Sequence, residues 1–237
     1  MKKLKFTFKN AAGEELAGLL ELPENPKAFA LLAHCFTCGK DLKGAARIAR
    51  KLTENAIAVL RFDFTGLGNS EGDFSNTNFS SNISDLLCAV DYLRRQYEAP
   101  SLLIGHSLGG SAILSIAGEV PEAKAVVTIG SPGELTHVKR LFKDDVENIN
   151  QHGAYPVELA GRVFTLKKQM LDNIQEHKIA HKVFAMNKPL LIFHATEDDT
   201  VLIEQAEKIF KAAKHPKSFI SLGKADHLLT HAQDAEY

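Results

Sequence analysis

The sequence predicts an α/β fold: a mostly parallel, doubly wound sheet of about eight strands with a small insertion. From residue 28 onward, short apolar runs without polar alternation recur between helix-like segments. This pattern is typical of parallel strands that are covered on both faces. The chain has 237 residues, of which 45% are hydrophobic and 24% charged. That size and composition predict one ordinary globular domain over residues 1–237.

The predicted elements alternate along the chain. The first two strands should be antiparallel, because the turn-forming Asn10 and Gly13 separate the apolar runs 4–8 and 16–22. After Pro23 and Pro26 the strands alternate with helices, as in a doubly wound sheet. The further predicted strands are residues 28–33, 57–62, 101–104, 125–129, 190–193 and 218–222, and the predicted helices are residues 42–54, 81–97, 109–118 and 203–213.

An insertion of roughly residues 131–188 interrupts this alternation. Within it, "YPVELAGRVFTL" predicts a short hairpin that turns at Ala160 and Gly161, with helix-like stretches at residues 136–149 and 167–183. The segment is too long for a plain connection, which favours a lid over a site, with a surface extension as the alternative. Its larger apolar side chains either line an acyl pocket or form the core of the insertion; they are Phe142, Tyr155, Phe164 and Met170.

Charge and cysteine content limit the partners and the compartment. Lys and Arg number 28 against 29 Asp and Glu, a formal charge of -1, so no electrostatic case exists for nucleic acid or an anionic membrane. No apolar run approaches the ~20 residues of a bilayer span. Lys5 and Lys9 interrupt any signal-peptide core, and three cysteines are too few for a disulfide framework. These observations favour a cytoplasmic location.

A nucleophile motif follows the strand predicted at residues 101–104. Gly105-His106-Ser107-Leu108-Gly109 fits G-x-S-x-G and lies between a strand and a helix, where this motif makes a sharp turn. Gly105 and Gly109 are expected to keep side chains out of the space where strand and helix nearly collide. The turn would then leave the Ser107 hydroxyl exposed at the top of the sheet.

A serine nucleophile requires a base and a group that orients the base. Working groups in open parallel sheets lie at the carboxyl ends of strands, which directs attention to "HATEDDTV" and "GKADHLLTH". His227 is favoured as the base over His231, because it follows the last strand directly. For the acid, spacing alone does not favour any one of three adjacent carboxylates. Three other histidines also lie at strand ends, but their place in the chain order is wrong for the base. The carboxylates are Glu197, Asp198 and Asp199, and the histidines are His34, His106 and His194.

The developing oxyanion needs backbone amide donors. One is expected from Leu108 at the start of its helix, and the other from Phe36 in the loop "HCFTCGKD". Cys35 and Cys38 in this loop are interpreted as packing or loop-structure residues in preference to a redox pair, because no helix N-terminus lowers their pKa. A structural turn without chemistry is predicted around Arg61, Asp63, Gly66, Gly68 and Ser70.

Over nearly its whole length the chain resembles the α/β-hydrolase superfamily. The matching segments are "AHCF", "RFDFTGLGNSEG", "GHSLGG", "HATEDDTV" and "GKADH". The resemblance implies the α/β-hydrolase fold and assigns the acid to Asp198, with Val201 completing the motif. Two positions depart from the usual pattern, Ala195 and Cys35, each of which stands where glycine is usual.

A closer resemblance is to the hydrolase half of bifunctional proteins in which an α/β-hydrolase precedes an osmotically inducible protein C (OsmC) domain. It rests on "AHCFTCGKDLKGAARIARKL", "VLRFDFTGLGNSEGDF" and "NTNFSSNISDL". It implies a possible OsmC-type domain in a longer natural chain. The family also implies a last helix over the sheet, whereas only ten residues follow His227 here, so a missing or truncated C-terminal helix is expected.

Together these features predict a serine hydrolase that cleaves small carboxylic esters through an acyl-enzyme, with a Ser107, His227 and Asp198 triad and the amides of Phe36 and Leu108 as the oxyanion hole. No cofactor and no metal are predicted. The alternatives within acyl chemistry are a thioesterase, a serine aminopeptidase-like enzyme and a perhydrolase. All of them share the G-x-S-x-G turn at the nucleophile, called the elbow below. From a different class, a catalytically idle binding module remains an alternative.

Overall fold

The computed structural model describes residues 1–237 and contains ten strands and eight helices. The strands are β1 (Lys2–Lys9), β2 (Glu15–Leu22), β3 (Ala28–Ala33), β4 (Ile57–Phe62), β5 (Leu102–His106), β6 (Ala125–Ile129), β7 (Ala154–Leu159), β8 (Arg162–Lys167), β9 (Leu190–His194) and β10 (Lys217–Ser221). The helices are α1 (Lys43–Glu54), α2 (Phe79–Gln96), α3 (Leu108–Ile116), α4 (Val146–His152), α5 (Lys168–Glu176), α6 (Ile179–Met186), α7 (Glu204–Ala212) and α8 (Ala232–Glu236).

Eight of the strands form one sheet in the order β1-β2-β4-β3-β5-β6-β9-β10. β1 pairs antiparallel with β2, and β2 antiparallel with β4, whereas every other pair is parallel. This is the α/β-hydrolase architecture, and it confirms the predicted fold class. Because β3, β5, β6, β9 and β10 run the same way, the loops that follow them meet at one edge of the sheet.

Buried apolar side chains form a separate cluster on each face of the sheet, which explains why the central strands lack polar alternation. The larger cluster joins α2, α3, α6 and α7 to the sheet through residues such as Leu86, Ile113 and Ile209. The smaller cluster lies under α1 and α8 and includes Ala45 and Ala49. The two layers hold the central strands rigidly, so that the loops at their carboxyl ends have a fixed base.

The insertion at residues 131–188 carries the second sheet, the hairpin of β7 and β8. The hairpin turns at Ala160 and Gly161, both with positive φ (50° and 74°), as its sequence predicts. The stretch predicted as helical over residues 167–183 is instead two helices, α5 and α6, separated at His177 and Lys178. Residues 136–149 likewise divide, into a 3₁₀ turn (Leu135–Phe142) and the start of α4.

The chain ends in the short helix α8, which packs along α1. This helix has five residues, at the position where a missing or truncated C-terminal helix was expected from the sequence. Beside it an apolar groove runs along the sheet, lined by half-buried side chains that include Leu102, Val127, Leu191, Phe193 and Leu222. No helix in the structure has both the length and the apolar character needed to cross a membrane.

Candidate active site

The G-x-S-x-G segment forms a tight strand-to-helix turn at the carboxyl end of β5. Ser107 lies between β5 and α3 with φ 54° and ψ -129°, a left-handed conformation that costs free energy for a residue with a Cβ. A Cβ on Gly105 would lie 2.4 Å from the Gly110 Cα, and one on Gly109 would lie 2.2 Å from the His34 carbonyl oxygen. Glycine at these two positions therefore allows strand, helix and the loop after β3 to touch.

Replacing Gly105 with alanine should lower the free energy of unfolding by about 3 kcal/mol, the upper end of typical overpacking costs, because the new methyl group meets main-chain atoms that cannot rotate away. Urea unfolding measures this loss. Gly118→Ala is the matched control, since its Cβ would lie 3.5 Å from the Met186 Cα, an ordinary contact. Equal stability of the two variants would contradict this account of the elbow.

Ser107, His227 and Asp198 form a hydrogen-bonded chain. The Ser107 Oγ lies 3.0 Å from His227 Nε2, and His227 Nδ1 lies 2.8 Å from Asp198 Oδ2. His227 lies 120 positions after Ser107 and 29 positions after Asp198, and the three residues come from the loops after β5, β9 and β10. The structure thus brings together all three side chains that the sequence analysis selected as a triad.

The electrostatics of Asp198 determine which nitrogen of His227 carries the proton. Burial by itself raises the pKa of Asp198, but the hydrogen bond and charge of His227 and the Val201 amide outweigh it and hold the pKa below its ordinary value. Asp198 is then ionised at neutral pH and accepts from His227 Nδ1–H. The unprotonated Nε2 therefore faces the Ser107 hydroxyl, which is the arrangement a general base requires.

The neighbouring acidic and histidine candidates take other places. Glu197 is exposed and lies 3.6 Å from the Lys224 ammonium, and Asp199 is exposed and accepts from the Thr200 hydroxyl at 3.2 Å. His231 is exposed and precedes α8, outside the hydrogen-bonded chain. The ambiguity that spacing left among the three carboxylates is therefore resolved geometrically, because only Asp198 reaches the imidazole.

The two expected oxyanion donors lie on adjacent segments. Leu108 is the first residue of α3, so its amide has no acceptor within the helix, and the Phe36 amide makes no hydrogen bond within the protein. Both residues line one small cavity beside Ser107, together with Phe74 and Asn82. The start of α3 touches the loop after β3 at Gly109, where an added Cβ would lie 2.2 Å from the His34 carbonyl oxygen.

A disulfide joins Cys35 to Cys38 in the loop after β3, with the two Cα atoms 5.3 Å apart. The sequence interpretation, which favoured packing or loop-structure residues over a redox pair, did not predict this disulfide. The loop turns tightly between the two cysteines: Cys38 N–H donates to the Cys35 carbonyl at 3.2 Å, and Thr37 has φ 60°. A turn of this kind brings residues three apart within disulfide range, and a two-residue spacing alone does not reveal whether it forms.

A buried ionic cluster anchors the other end of the same loop. Asp63 accepts from the Lys40 amide at 2.6 Å, from the Lys40 ammonium at 2.8 Å and from the Asn69 amide at 2.9 Å. Arg61 pairs with Glu21 at 2.6 Å and donates to the Lys40 carbonyl. The predicted structural turn is thus also the support of the loop that carries Phe36, a role the sequence analysis did not assign.

Of the four side chains in the insertion that were candidates for an acyl pocket, one reaches this region. The Phe164 ring lies 4.9 Å from Phe74, which in turn lies 5.6 Å from Phe36. Arg162 stacks over Phe164 and donates to the Thr37 carbonyl. Phe142 and Met170 are buried in the core of the insertion, and Tyr155 packs against that core.

Three histidines at strand ends hold the surrounding loops. His34 donates to the Cys35 carbonyl at 2.8 Å, His106 to the His227 carbonyl at 2.6 Å and His194 to the Val201 carbonyl at 2.7 Å. Their place at strand ends predicted a location near the site but indicated no role. Their position directly at the carboxyl ends of β3, β5 and β9 was the available signal.

The sheet order, the insertion after β6 and the elbow at Ser107 define an α/β-hydrolase. Within this class the chain belongs to the family described as serine aminopeptidase, S33, whose model matches residues 24–144. The chain is also 45% identical to the esterase domain of a Rhodothermus marinus protein, whose crystal structure superposes with a TM-score of 0.79; the match covers 100% of this chain and 94% of that one.

More distant relatives share the fold. Est1E from Butyrivibrio proteoclasticus, in a structure with bound ferulic acid, is 21% identical with a TM-score of 0.78, and the match covers 98% of this chain and 96% of that chain. The palmitoyl-protein thioesterase ABHD10 of Bos taurus is 26% identical over 151 residues, which is 61% of this chain. The chain matches 48% of that relative's length, so it spans about half of it.

Proposed function

We propose that this protein is a serine hydrolase that cleaves carboxylic esters through an acyl-enzyme. Ser107 is the nucleophile, His227 the general base and acid, and Asp198 the carboxylate that orients the imidazole. The observation that carries the proposal is the continuous chain from the Ser107 Oγ through His227 to Asp198, with contacts of 3.0 Å and 2.8 Å. A serine hydroxyl is a weak nucleophile at neutral pH, and such a chain is what activates it.

In the acylation step the Ser107 Oγ attacks the ester carbonyl carbon while His227 Nε2 takes the hydroxyl proton. Asp198 stabilises the imidazolium that forms and does not itself become protonated. The tetrahedral intermediate collapses as Nε2–H gives its proton to the leaving alkoxide, which departs as the alcohol. The acyl group then remains bound to the Ser107 Oγ.

In the deacylation step water takes the place of the alcohol. His227 Nε2 removes a proton from the water as its oxygen attacks the acyl carbon, and then returns that proton to the Ser107 Oγ as the carboxylic acid leaves. In both steps the Phe36 and Leu108 amides are the proposed donors to the oxyanion. One such donor is typically worth ~3 kcal/mol of transition-state stabilisation.

An ester is proposed ahead of the other acyl substrates because the relative that is 45% identical over the whole chain is described as an esterase domain. A thioester is the next candidate, from the thioesterase relative, and a peptide with a free N-terminus is suggested by the family description. All of them pass through the same acyl-enzyme. We also propose that the insertion is a lid, since Arg162 and Phe164 of its hairpin lie against the loop that carries Phe36.

Two further predictions stay proposals that rest on the sequence. An OsmC-type domain as partner in a longer natural chain rests on the resemblance of "AHCFTCGKDLKGAARIARKL" and its companion segments. A cytoplasmic location rests on the cysteine count, since three cysteines are too few for a disulfide framework.

A fluorophosphonate probe tests the nucleophile directly. The wild-type protein should be labelled on Ser107 with one probe per chain, and Ser107→Ala should lose both labelling and hydrolysis of p-nitrophenyl acetate. Ser115→Ala, at a buried position in the helix that follows Ser107, should be labelled like the wild type. A folded wild-type protein that takes up no probe would contradict the proposal and favour an idle binding module.

The substrate class is tested by a panel of p-nitrophenyl esters, aminoacyl nitroanilides and acyl-CoA thioesters. We expect the highest kcat/KM among the esters. A thioester or nitroanilide preferred by more than tenfold would keep the acyl-enzyme mechanism and replace the proposed substrate.

A further inference from the structure

His106, the residue directly before Ser107, lies between the elbow and the loop that carries His227. It is buried, and its Nε2 lies 2.6 Å from the His227 carbonyl oxygen. The two imidazole rings are 5.0 Å apart between centroids and are tilted by 39°. The bond to His106 is the one hydrogen bond that the main chain of His227 makes.

We propose that His106 is a positioning residue for the catalytic base: its Nε2–H holds the main chain of His227 in the place from which the imidazole reaches both Ser107 and Asp198. The proposal rests on the proposed function of the triad. It assigns a role to the second residue of the G-x-S-x-G motif, a position at which the motif allows any residue.

The loop around His227 needs such a support because it has no regular secondary structure. Residues 222–231 connect β10 to α8 through turns, with Leu229 in a left-handed conformation (φ 52°). The Asp226 carboxylate caps the loop by accepting from the Leu228 amide at 2.9 Å and the Thr230 amide at 3.1 Å. These bonds lie within the loop itself, whereas the His106 bond ties the loop to the end of β5, which also holds Ser107.

The contact also defines the protonation state of His106. A carbonyl oxygen only accepts, so Nε2 carries the proton, and the buried Nδ1 has no partner to receive a second one. Burial and the proximity of His227 lower the pKa of His106 to about 3. His106 is therefore a neutral donor at every pH at which an esterase would operate, and it adds no positive charge beside the imidazolium that forms on His227.

Two other loops of the site also contain a buried strand-end histidine that donates to a main-chain carbonyl, although there the bond lies within one loop. His34 donates to the carbonyl of the residue before Phe36, and His194 donates to Val201, whose amide in turn binds Asp198. Each is a buried histidine at the end of a parallel strand, and each donates to a main-chain carbonyl. His106 is distinguished because it acts on the base itself.

Two substitutions separate the donor from the bulk of the side chain. In His106→Gln the amide nitrogen can reach the position of the imidazole Nε2, whereas His106→Leu keeps an apolar group of similar size with no donor. With p-nitrophenyl acetate we expect kcat of the leucine variant to fall about 100-fold, the cost typical of a base misplaced by about 1 Å, and KM to stay within about twofold. The glutamine variant should stay within about tenfold of the wild-type kcat.

A spectroscopic measurement gives an independent readout. The proton between His227 Nδ1 and Asp198 should give a low-field ¹H resonance in the wild type and in His106→Gln, and this resonance should be lost or broadened in His106→Leu. The proposal is overturned if His106→Leu keeps both the wild-type kcat and the low-field resonance. It is also overturned if kcat falls equally in His106→Leu and His106→Gln. If His106→Leu does not fold, His106→Asn replaces it, because its amide is too short to reach the carbonyl.

Failure of the proposed function gives a different result. If Ser107→Ala keeps full esterase activity, the triad assignment is wrong, while the resonance still reports whether His106 holds His227 against Asp198. If Ser107→Ala is inactive and His106→Leu is fully active, the triad stands and the positioning role falls. His181→Gln, at an exposed position of α6, is the control for substitution of a histidine and should match the wild type.

Discussion

Asp198→Asn should lower kcat/KM for p-nitrophenyl acetate by about 10⁴-fold, the loss typical of this substitution in a serine triad, while the protein stays folded. The asparagine oxygen can still accept from the Thr200 and Val201 amides that now bind Asp198 Oδ1 at 3.0 Å and 2.8 Å. The amide NH₂ then faces His227 Nδ1, which must become an acceptor. The ring proton moves to Nε2, and the imidazole loses the lone pair that would take the Ser107 proton.

Substitutions of the two neighbouring carboxylates are the matched controls. Asp199→Asn and Glu197→Gln should keep kcat/KM within about twofold of the wild type, because both side chains are exposed and neither touches the imidazole. Thermal unfolding of all three variants checks that they are folded. A wild-type rate for Asp198→Asn, or a 10⁴-fold loss in either control, would move the orienting role away from Asp198.

The parts of the site that the sequence predicts are those encoded in local segments. The glycines at 105 and 109 flank Ser107 within five residues, so the elbow is visible as a motif, and the apolar runs before it show which strand it ends. His227 follows from its position directly after the last strand, because the loops after parallel strands converge at one edge. In these cases the sheet topology brings residues that are distant in sequence together. Only the type of residue at each strand end then has to be recognised in the sequence.

Spacing does not distinguish Asp198 from its neighbours, because the choice depends on which side chain of one turn points inward. Asp198 is selected by the Val201 and Thr200 amides, which fix its carboxylate toward His227. The hydrogen bonds of His34, His106 and His194 have the same origin. Each joins an imidazole to a main-chain carbonyl, that of the next residue for His34, of the same loop for His194 and of a distant loop for His106, and no periodicity or motif indicates such a contact.

The break between α5 and α6 illustrates how a tertiary contact overrides a helical pattern. The sequence of residues 167–183 predicts one helix, yet His177 takes an extended conformation (φ -84°, ψ 125°). Its ring packs against Phe79 with centroids 4.9 Å apart, and its Nε2 lies 2.9 Å from the Ser80 hydroxyl. These contacts with the start of α2 exist only in the folded insertion, so local propensity carries no sign of them.

Lowering the pH from 7 to about 5 should destabilise the folded protein, by ~2 kcal/mol through His106 alone, because three imidazoles at the candidate site are buried in their neutral form. Burial lowers the pKa of His34, His106 and His194 below 6.5, and that of His106 to about 3. Below pH 6.5 the unfolded chain binds protons at these positions that the folded chain does not. The free energy of unfolding therefore falls as the pH falls.

For His106 the loss amounts to ~2 kcal/mol at pH 5, since each pH unit below 6.5 and above the folded pKa is worth about 1.4 kcal/mol. His34 and His194 act in the same direction. Asp198, whose pKa lies below 3.8, adds to the loss only at lower pH. Burial raises the pKa of Asp85, so that this group binds its proton more tightly in the folded state and opposes the trend as the pH approaches its folded pKa.

Urea unfolding at pH 7 and pH 5 measures the effect, and His106→Gln assigns its share. Glutamine does not titrate, so the difference in unfolding free energy between the two pH values should be smaller in this variant by ~2 kcal/mol, while His181→Gln should match the wild type. An unchanged difference in His106→Gln would mean that His106 titrates in the folded state as it does in the unfolded chain, and so becomes charged in the folded protein as the pH falls below about 6.5. A positive charge on His106, whose ring centroid lies 5.0 Å from that of His227, would disfavour the His227 imidazolium that ester cleavage requires. The stability measurement therefore also tests whether His106 stays neutral beside the proposed base.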